Sequence, residues 1–159
     1  MTEANKKTIL EEEKELGEDL TEEEILQMTE EDILDRLLNV DDAPEKTYFL
    51  DRIGIPITLK GLKEKEIQTL TKECTRVWNH RGQRHKELDA DEFNAALVEK
   101  ATVNFDWGNK KVLSKFNLSS GREYIKRKLL SGEIQALGDK IMELSGYDDE
   151  LEEIETIKN

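Results

Sequence analysis

The chain has 159 residues, 38% of them charged, and a formal net charge of −13, which allows one folded domain with extended acidic ends. Residues 1–45 carry 17 acidic and 4 basic side chains, residues 46–146 carry 14 and 19, and residues 147–159 carry 6 and 1. Two acidic arms therefore flank a mildly basic block, and the single cysteine excludes an internal disulfide and a multi-cysteine metal site.

Residues 1–45 are predicted to form an acidic N-terminal arm. Large apolar side chains are too rare in residues 1–19 to offset the entropy of ordering them, so we expect disorder there. Thr21 and Thr29 each precede an acidic residue at the third following position, which is the pattern of a capping box at a helix start. We therefore expect an amphipathic helix or helix pair, ending between residues 39 and 44.

This predicted helical segment carries an apolar stripe on an otherwise anionic surface. The stripe contains Met28 and six residues that we predict to bind a partner: Ile25, Leu26, Ile33, Leu34, Leu37 and Leu38. One interpretation is that the stripe docks on the protein's own core. The other is that it binds a groove or a helix of a partner protein.

The hydrophobic period changes after residue 46. Residues 47–52 and 55–60 are rich in aromatic and β-branched side chains, and the second segment alternates apolar with polar or proline positions. They are predicted to be two strands joined by a turn at Gly54, with Pro56 placing its strand at a sheet edge. Because an isolated hairpin is marginally stable in water, we expect this one to pack on helices.

The rest of the central block is predicted to be helical. A first helix at residues 63–79 would bury Cys74 as an unreactive thiol and would be followed by a polar link at residues 80–86. The apolar side of this helix is expected to contain Ile67, Leu70, Cys74, Val77 and Trp78. Asp89 is expected to cap the next helix together with Glu92. The stripe of that helix is Phe93, Ala96, Leu97 and Ala101.

Three further features are predicted between residue 104 and the end of the central block. The loop at residues 104–109 carries two aromatic side chains that are expected to fold inward, and a short helix follows with Val112, Leu113 and Phe116. Ser120 with Glu123 is expected to cap a helix that carries Tyr124, Ile125, Leu129 and Leu130. Ser131 is expected to cap a closing helix, which ends at Gly146. The core side of the closing helix is Ile134, Leu137, Ile141 and Leu144.

The predicted fold is mainly α, of the α+β class. A β-hairpin near the start of the domain packs on about five helices, and flexible acidic arms extend from both ends. The predicted boundaries are 1–45 for the N-terminal arm, 46–147 for the domain and 148–159 for the C-terminal tail.

The sequence contains no motif that indicates catalysis or cofactor binding. It lacks a Gly-rich phosphate loop, HExxH, GxSxG and an EF-hand loop. His80 and His85 lie among basic residues without acidic or thiol co-ligands, so we expect no metal site. No signal peptide or membrane span is recognisable, and an intracellular protein that does not bind membranes is expected.

Two alternative functions remain open from the residues alone. The acidic arms suit an inhibitor that mimics DNA, but such a protein needs carboxylates in a fixed pattern on a rigid surface. A small regulator that binds nucleic acid is the other possibility, through a basic run of Lys72, Arg76, Arg81, Arg84 and Lys86. That run is short, and it is expected to lack interleaved exposed aromatic side chains, so nucleic-acid binding is the weaker interpretation.

Three segments resemble the tail assembly chaperones encoded by phages and prophages of Gram-positive bacteria. They lie at residues 52–60, 93–107 and 129–147, and together they span the domain at residues 46–147. The second contains a helix end of the form LVxxATVxxDW, and the third contains GEIxxLxxxIxELSG. These two motifs carry most of the resemblance.

The resemblance implies a chaperone without catalytic, metal-binding or cofactor-binding residues. Proteins of this family bind the long, helix-rich tape measure protein and help tail tube (major tail) proteins polymerise around it. The resemblance therefore implies action in the host bacterial cytoplasm and absence from the mature virion. Self-association is plausible, because several copies would be needed along a long client.

Overall fold

The computed structural model describes residues 20–40, 43–148, 150, 151, 153 and 154. The chain divides into two compact units, residues 42–150 and a unit formed by residues 1–41 with 151–159. The disorder predicted for residues 1–19 lies outside the described residues, as does most of the predicted acidic tail. Each unit is described separately below.

Seven helices and two β-hairpins make up the described residues, so the fold belongs to the predicted α+β class. The first unit contains α1 (Glu22–Leu26) and α2 (Glu30–Asn39). The second unit begins with β1 (Glu45–Leu50), β2 (Ile55–Lys60), α3 (Glu64–Glu73), β3 (Thr75–His80) and β4 (Gln83–Leu88). It continues with α4 (Ala90–Ala101), α5 (Lys110–Phe116), α6 (Gly121–Lys128) and α7 (Ser131–Leu144).

The first hairpin confirms the prediction from alternating residues. β1 and β2 pair antiparallel from Glu45 opposite Lys60 to Leu50 opposite Ile55, and Gly54 lies in the turn with φ of +75°. Ile57 and Leu59 of β2 are fully buried because alternate residues of a strand face the same side. β1 begins and ends two residues earlier than predicted.

The outer edge of β2 is closed by an asparagine side chain. Asn104 Oδ1 accepts a hydrogen bond from the Thr58 N–H at 3.0 Å, and its Nδ2 donates to the Pro56 carbonyl at 2.9 Å. The Val103 N–H adds a bond to the Thr58 carbonyl at 2.9 Å. The edge therefore gains the partners that a third strand would supply, and Pro56 needs no donor there.

The prediction of one long helix at residues 63–79 is wrong. α3 ends at Glu73, and residues 75–80 instead form β3, which pairs antiparallel with β4. The predicted polar link is the turn and second strand of this hairpin, and the two turn residues, Arg81 and Gly82, both have positive φ, at 49° and 76°. Such a turn matches the twist of the paired strands and favours glycine.

Cys74 is buried at the junction of α3 and β3, as predicted, and burial raises the pKa of its thiol. Val77 and Trp78 are exposed instead of forming part of the apolar side of a helix. The predicted stripe of this region is therefore correct only for Ile67, Leu70 and Cys74, which are all buried.

The core of the second unit lies where α4 meets α7, α6 and α3, with β2 against the helices. Ala96, Leu97 and Ala101 of α4 are fully buried, while Phe93 is partly buried against the core. On α7 the core side is as predicted: Leu137, Ile141 and Leu144 are buried, and Ile134 is partly buried. The predicted stripes of these two helices are confirmed.

The aromatic loop before α5 folds inward, as predicted. Trp107 is buried, and its Nε1 donates a hydrogen bond to Thr102 Oγ1 at 2.9 Å. Phe105 packs edge-on against Trp107, with ring centroids 4.7 Å apart. The short helix α5 that follows buries none of its residues.

The helix ends confirm most of the predicted caps. The side chains of Asp89 and Ser120 accept hydrogen bonds from the N–H groups of Glu92 and Glu123, each at 3.2 Å. Ser131 does not cap α7 but is its first residue, since Leu130 holds the cap position. The Leu130 N–H is instead bound by the side chain of Glu133, at 2.8 Å. Gly146 follows α7 with φ of +88°, as expected for a left-handed helix end.

Glu133 joins the first hairpin to α7. Its carboxylate pairs with Arg52 at 2.7 Å, and Arg52 also donates to the Lys128 carbonyl at 3.0 Å. The hydrogen bond from Arg52, followed by the one from the Leu130 backbone, lowers the pKa of Glu133 below its ordinary value of 4.5. The ionised carboxylate is therefore the form that the folded chain favours.

The substitution Glu133→Gln should make the free energy of unfolding less dependent on pH between about pH 7 and about pH 3. Because the pKa of Glu133 is lower in the folded than in the unfolded chain, its contribution is present above pH 4.5 and is lost as pH falls through the folded pKa. Urea unfolding at about pH 7 and about pH 3 should show a smaller loss of stability in this variant than in the wild type. Glu143→Gln, also on α7, is the charge-matched control, and equal losses in wild type and Glu133→Gln would contradict the prediction.

Candidate partner-binding surface

Hydrogen bonds at their N-termini define the two helices of the first unit. Thr29 Oγ1 accepts from the Asp32 N–H, and Asp32 Oδ2 accepts from the Thr29 N–H, both at 3.2 Å. This is a complete capping box for α2. Thr21 Oγ1 accepts from the Glu24 N–H at 3.2 Å and begins α1 with half of the same motif. The helix pair predicted from the sequence is therefore confirmed.

The six predicted partner-binding residues all lie on these two helices. Ile25 is partly buried and the other five are exposed: Leu26, Ile33, Leu34, Leu37 and Leu38. Leu37 is 66% exposed and Leu38 74%, which is unusual for leucine. Neither α1 nor α2 buries any residue.

The structure brings four of these residues together on one side of α2. Ile33 and Leu37 are four residues apart, as are Leu34 and Leu38, so the four side chains form adjacent rows on one helix face. We call this face the apolar stripe: Ile33, Leu34, Leu37 and Leu38. The sequence analysis missed Val40, which is 73% exposed just beyond the helix and extends the same apolar surface.

The other side of α2 is polar. Asp32, Asp35 and Arg36 lie there, whereas Glu31 is three residues before Leu34 and borders the apolar stripe. The acidic residues of the first turn are favourable at a helix N-terminus. A cleft of about 450 Å³ between α1 and α2 is lined by Leu20, Glu24, Gln27, Met28, Asp32, Asp35 and Arg36. The helix therefore offers an apolar surface on one side and a mainly anionic surface on the other.

The β3–β4 hairpin forms a second exposed surface, which the sequence analysis did not predict. Only Thr75 and His85 of its strands are partly buried, and the remaining residues are exposed. Trp78 stacks on His85, with ring centroids 5.4 Å apart, and remains 43% exposed. The expectation that the basic run lacks an exposed aromatic side chain is therefore wrong.

A charged cleft of about 620 Å³ lies beside α3, α4 and α6. The guanidinium of Arg122 lies at its wall and contacts carboxylates of Glu73 at 3.2 Å, Glu99 at 3.5 Å and Glu92 at 3.6 Å. Three carboxylates thus compensate one cation, so the cleft offers no free charge for a ligand at Arg122. No cluster of metal-ligating side chains occurs among the residues that the structure describes.

None of the helices in the described ranges has the length and apolar character that crossing a bilayer requires.

Comparison with known proteins identifies the family. The family described as phage XkdN-like tail assembly chaperone protein matches residues 34–158. The match begins inside α2, so Leu34, Leu37 and Leu38 of the apolar stripe lie within the family region, while α1 and the first turn of α2 precede it.

Individual relatives agree with the family match. The chain is 32% identical to the phage-like element PBSX protein XkdN of Bacillus subtilis over 117 residues, which cover 71% of this chain and 79% of XkdN. It is 31% identical over 118 residues to YqbN of the same organism, covering 72% of this chain and 79% of YqbN. The crystal structure of YqbN matches with a TM-score of 0.52 and 26% identity, over 69% of this chain and 90% of that one. The chain therefore belongs to the XkdN-like family of phage tail assembly chaperones.

Proposed function

We propose that the chain is a non-catalytic chaperone that binds a phage tape measure protein and promotes polymerisation of tail tube protein around it. Family membership supports a role in tail assembly. The observation that carries the proposal of client binding is the apolar stripe, four large aliphatic side chains on one face of α2, all about half exposed or more. A helical client with its own apolar face would bury this stripe.

The strength of this contact follows from the area that the stripe can bury. At about 25 cal/mol per Å² of apolar surface, covering the exposed part of each side chain contributes about 1 kcal/mol. Four side chains together contribute about 4 kcal/mol before the cost of association is subtracted. The stripe of one copy would therefore hold the client weakly, and co-purification of the complex relies on several copies bound along one client. Weak individual contacts suit a chaperone that leaves before the tail is complete.

The anionic side of α2 supports the same role. Asp32 and Asp35 lie away from the apolar stripe, so they stay hydrated when the stripe is covered. Negative charge on the outside of a chaperone–client complex opposes aggregation by mutual repulsion. Such a complex would form in the host cytoplasm, where tail proteins are made, and the chaperone would be absent from the mature virion.

Co-expression with the tape measure protein of the same phage genome tests the proposal. The client should be insoluble alone and should become soluble and co-purify with the full chain. A chain that lacks residues 1–40 should lose this effect, because the apolar stripe is removed while the second unit is kept. A client that stays insoluble with the full chain would contradict the proposal. A shortened chain that still binds would place client binding in residues 42–150.

A further inference from the structure

The outer edge of β4 in the second hairpin is open. Within the described ranges, β4 pairs with β3 alone. The Asp89 N–H donates to the Cys74 carbonyl at 2.9 Å, so these two residues form a hydrogen-bonded pair at the base of the hairpin. Because bonded and non-bonded pairs alternate along an antiparallel ladder, the N–H groups of Arg84 and Lys86 point away from β3. Among the described residues, no backbone carbonyl outside the hairpin binds either group.

The two hairpins of the second unit differ at their outer edges. The edge of β2 is closed by the side chain of Asn104 and the N–H group of Val103. An open strand edge is a template for another chain, and proteins usually cover or blunt it. The edge of β4 has no such cover, although a hairpin alone is marginally stable in water. A strand added at this edge would supply the missing hydrogen bonds.

The side chains of β4 alternate between two faces of different chemistry. Arg84 and Lys86 lie on one face, and neither forms an ion pair within the described ranges. On the other face His85 stacks on Trp78, which is 43% exposed. A strand that paired with β4 would therefore meet two cations on one side and aromatic rings on the other.

We propose that the outer edge of β4 binds an extended segment of a partner protein in which acidic and apolar residues alternate. The main chain of this segment bonds to the outward groups of Arg84 and Lys86, as in β-strand addition. Its carboxylates lie beside those two cations, and its apolar side chains lie beside His85. Because successive side chains of a strand face opposite sides, an alternating segment matches both faces at once. The edge is a different surface from the apolar stripe, so this site goes beyond the proposed function.

The division between the two faces favours a protein strand over nucleic acid. Single-stranded nucleic acid binds where cations that contact phosphates accompany aromatic rings on which bases stack. Here the cations of β4 and the stack of Trp78 on His85 lie on opposite faces of the hairpin, so one nucleic-acid strand would not reach both.

The local charge of the hairpin favours an acidic segment. Residues 75–88 carry four cations and one carboxylate, although the whole chain has a net charge of −13. At physiological salt, charges farther apart than about 8 Å are largely screened. The charges of the hairpin itself therefore select the segment that binds there.

Amide hydrogen exchange measured by NMR on the full chain tests the proposal, without any client. The probe is a peptide of alternating glutamate and valine, six residues long like β4, at about 0.15 M salt. At about ten times its Kd, the peptide should slow exchange of the N–H groups of Arg84 and Lys86 about tenfold. The N–H groups of Val77 and Asn79, at the outer edge of β3, should exchange as before. A peptide of alternating lysine and valine should protect neither edge.

Proline substitutions test the main-chain contact. Lys86→Pro removes an outward N–H group and should abolish protection at Arg84 by the glutamate peptide. Asn79→Pro makes the matched change at the outer edge of β3 and should leave that protection unchanged. Neither N–H group belongs to the ladder between β3 and β4, so both variants should keep the hairpin. Slow exchange of the Trp78 N–H group, which lies inside the ladder, shows that the hairpin is intact.

Charge reversal tests the side-chain contact. Arg84→Glu/Lys86→Glu should bind the glutamate peptide at least about tenfold more weakly than the wild type. In the same variant, the lysine peptide should now protect the edge of β4. Lys65→Glu/Lys100→Glu makes the same change in net charge at exposed cations outside the hairpin, and it should bind the glutamate peptide as the wild type does.

Three results would overturn the proposal. They are a wild type that the glutamate peptide does not protect, a wild type in which the lysine peptide protects the same groups, and a Lys86→Pro variant that binds as the wild type does. It is equally overturned if single-stranded oligothymidylate protects the edge of β4 and the glutamate peptide does not. Because no tape measure protein is present, each of these failures is distinguishable from failure of the proposed function.

Discussion

Leu34→Gln/Leu37→Gln/Leu38→Gln should lose the tape measure protein while the chaperone stays folded. These three leucines are 50 to 74% exposed, so the substitutions remove apolar area available to a client and little that the folded chain buries. Glutamine has nearly the helix propensity of leucine, so α2 should persist. At about 1 kcal/mol for each leucine, the affinity for the client should fall about 100-fold.

The measurement is the fraction of client that is soluble and co-purifies at matched expression. The control is Val77→Gln/Leu88→Gln/Leu130→Gln, which removes three exposed aliphatic side chains from the second unit. It should retain the client as the wild type does. Thermal unfolding should change little in the leucine variant, as expected for exposed positions. If the variant with the three leucines replaced kept the client soluble, the apolar stripe would not be the binding surface.

The helix starts were predictable because their signals are local. A capping side chain and the N–H group that it binds are three residues apart, as in Thr29 with Asp32 and Ser120 with Glu123. No distant residue is needed to satisfy these bonds. The cap of α7 was assigned to the wrong residue because the side chain of Leu130, at the cap position, has no polar atom that could mark it as a cap, and the side chain of Glu133 accepts a hydrogen bond from the Leu130 N–H instead.

The second hairpin was not predictable from hydrophobic period alone. Cys74, Val77 and Trp78 continue the spacing of α3 and therefore resemble one helix face. Val77 and Trp78 are exposed in the structure, so their apolar character wrongly indicated that they are buried. The signal that could have identified the hairpin is Gly82, since its positive φ suits a two-residue turn, after a segment that contains Thr75, Val77 and Trp78.

The sequence predicted which residues of α2 form the apolar stripe, but it did not predict that their side chains are exposed to solvent. A helix with apolar residues on one side can dock on its own core or on a partner with the same sequence pattern, and the sequence analysis left both interpretations open. The cluster of three cations around the ring of Phe116 was not predictable from the sequence. Lys115 lies on α5, whereas Arg127 and Lys128 lie on α6, and only the fold brings the three cations around Phe116.

Ile141→Ala should lower the free energy of unfolding by about 2 to 5 kcal/mol, the range for truncating a large aliphatic side chain in a core. Ile141 is completely buried on α7, on the side that packs against α4. The substitution leaves a cavity because α7 cannot move inward without disturbing Leu137 and Leu144, which are buried on the same side. The better helix propensity of alanine offsets only a few tenths of a kcal/mol.

Urea unfolding should show this loss as a lower midpoint concentration of urea, with an unchanged dependence of the free energy on urea. The midpoint temperature of thermal unfolding should fall by about 10 °C or more for a unit of this size. Ile134→Ala removes the same atoms two turns earlier on α7, where the side chain is only partly buried, and should cost distinctly less. Ile33→Ala on α2 should be nearly neutral, because that side chain is half exposed. Equal losses at Ile141 and Ile33 would contradict the position of the core, whereas a loss confined to Ile141 and Ile134 is expected if stability depends on α7 and not on the apolar stripe of α2.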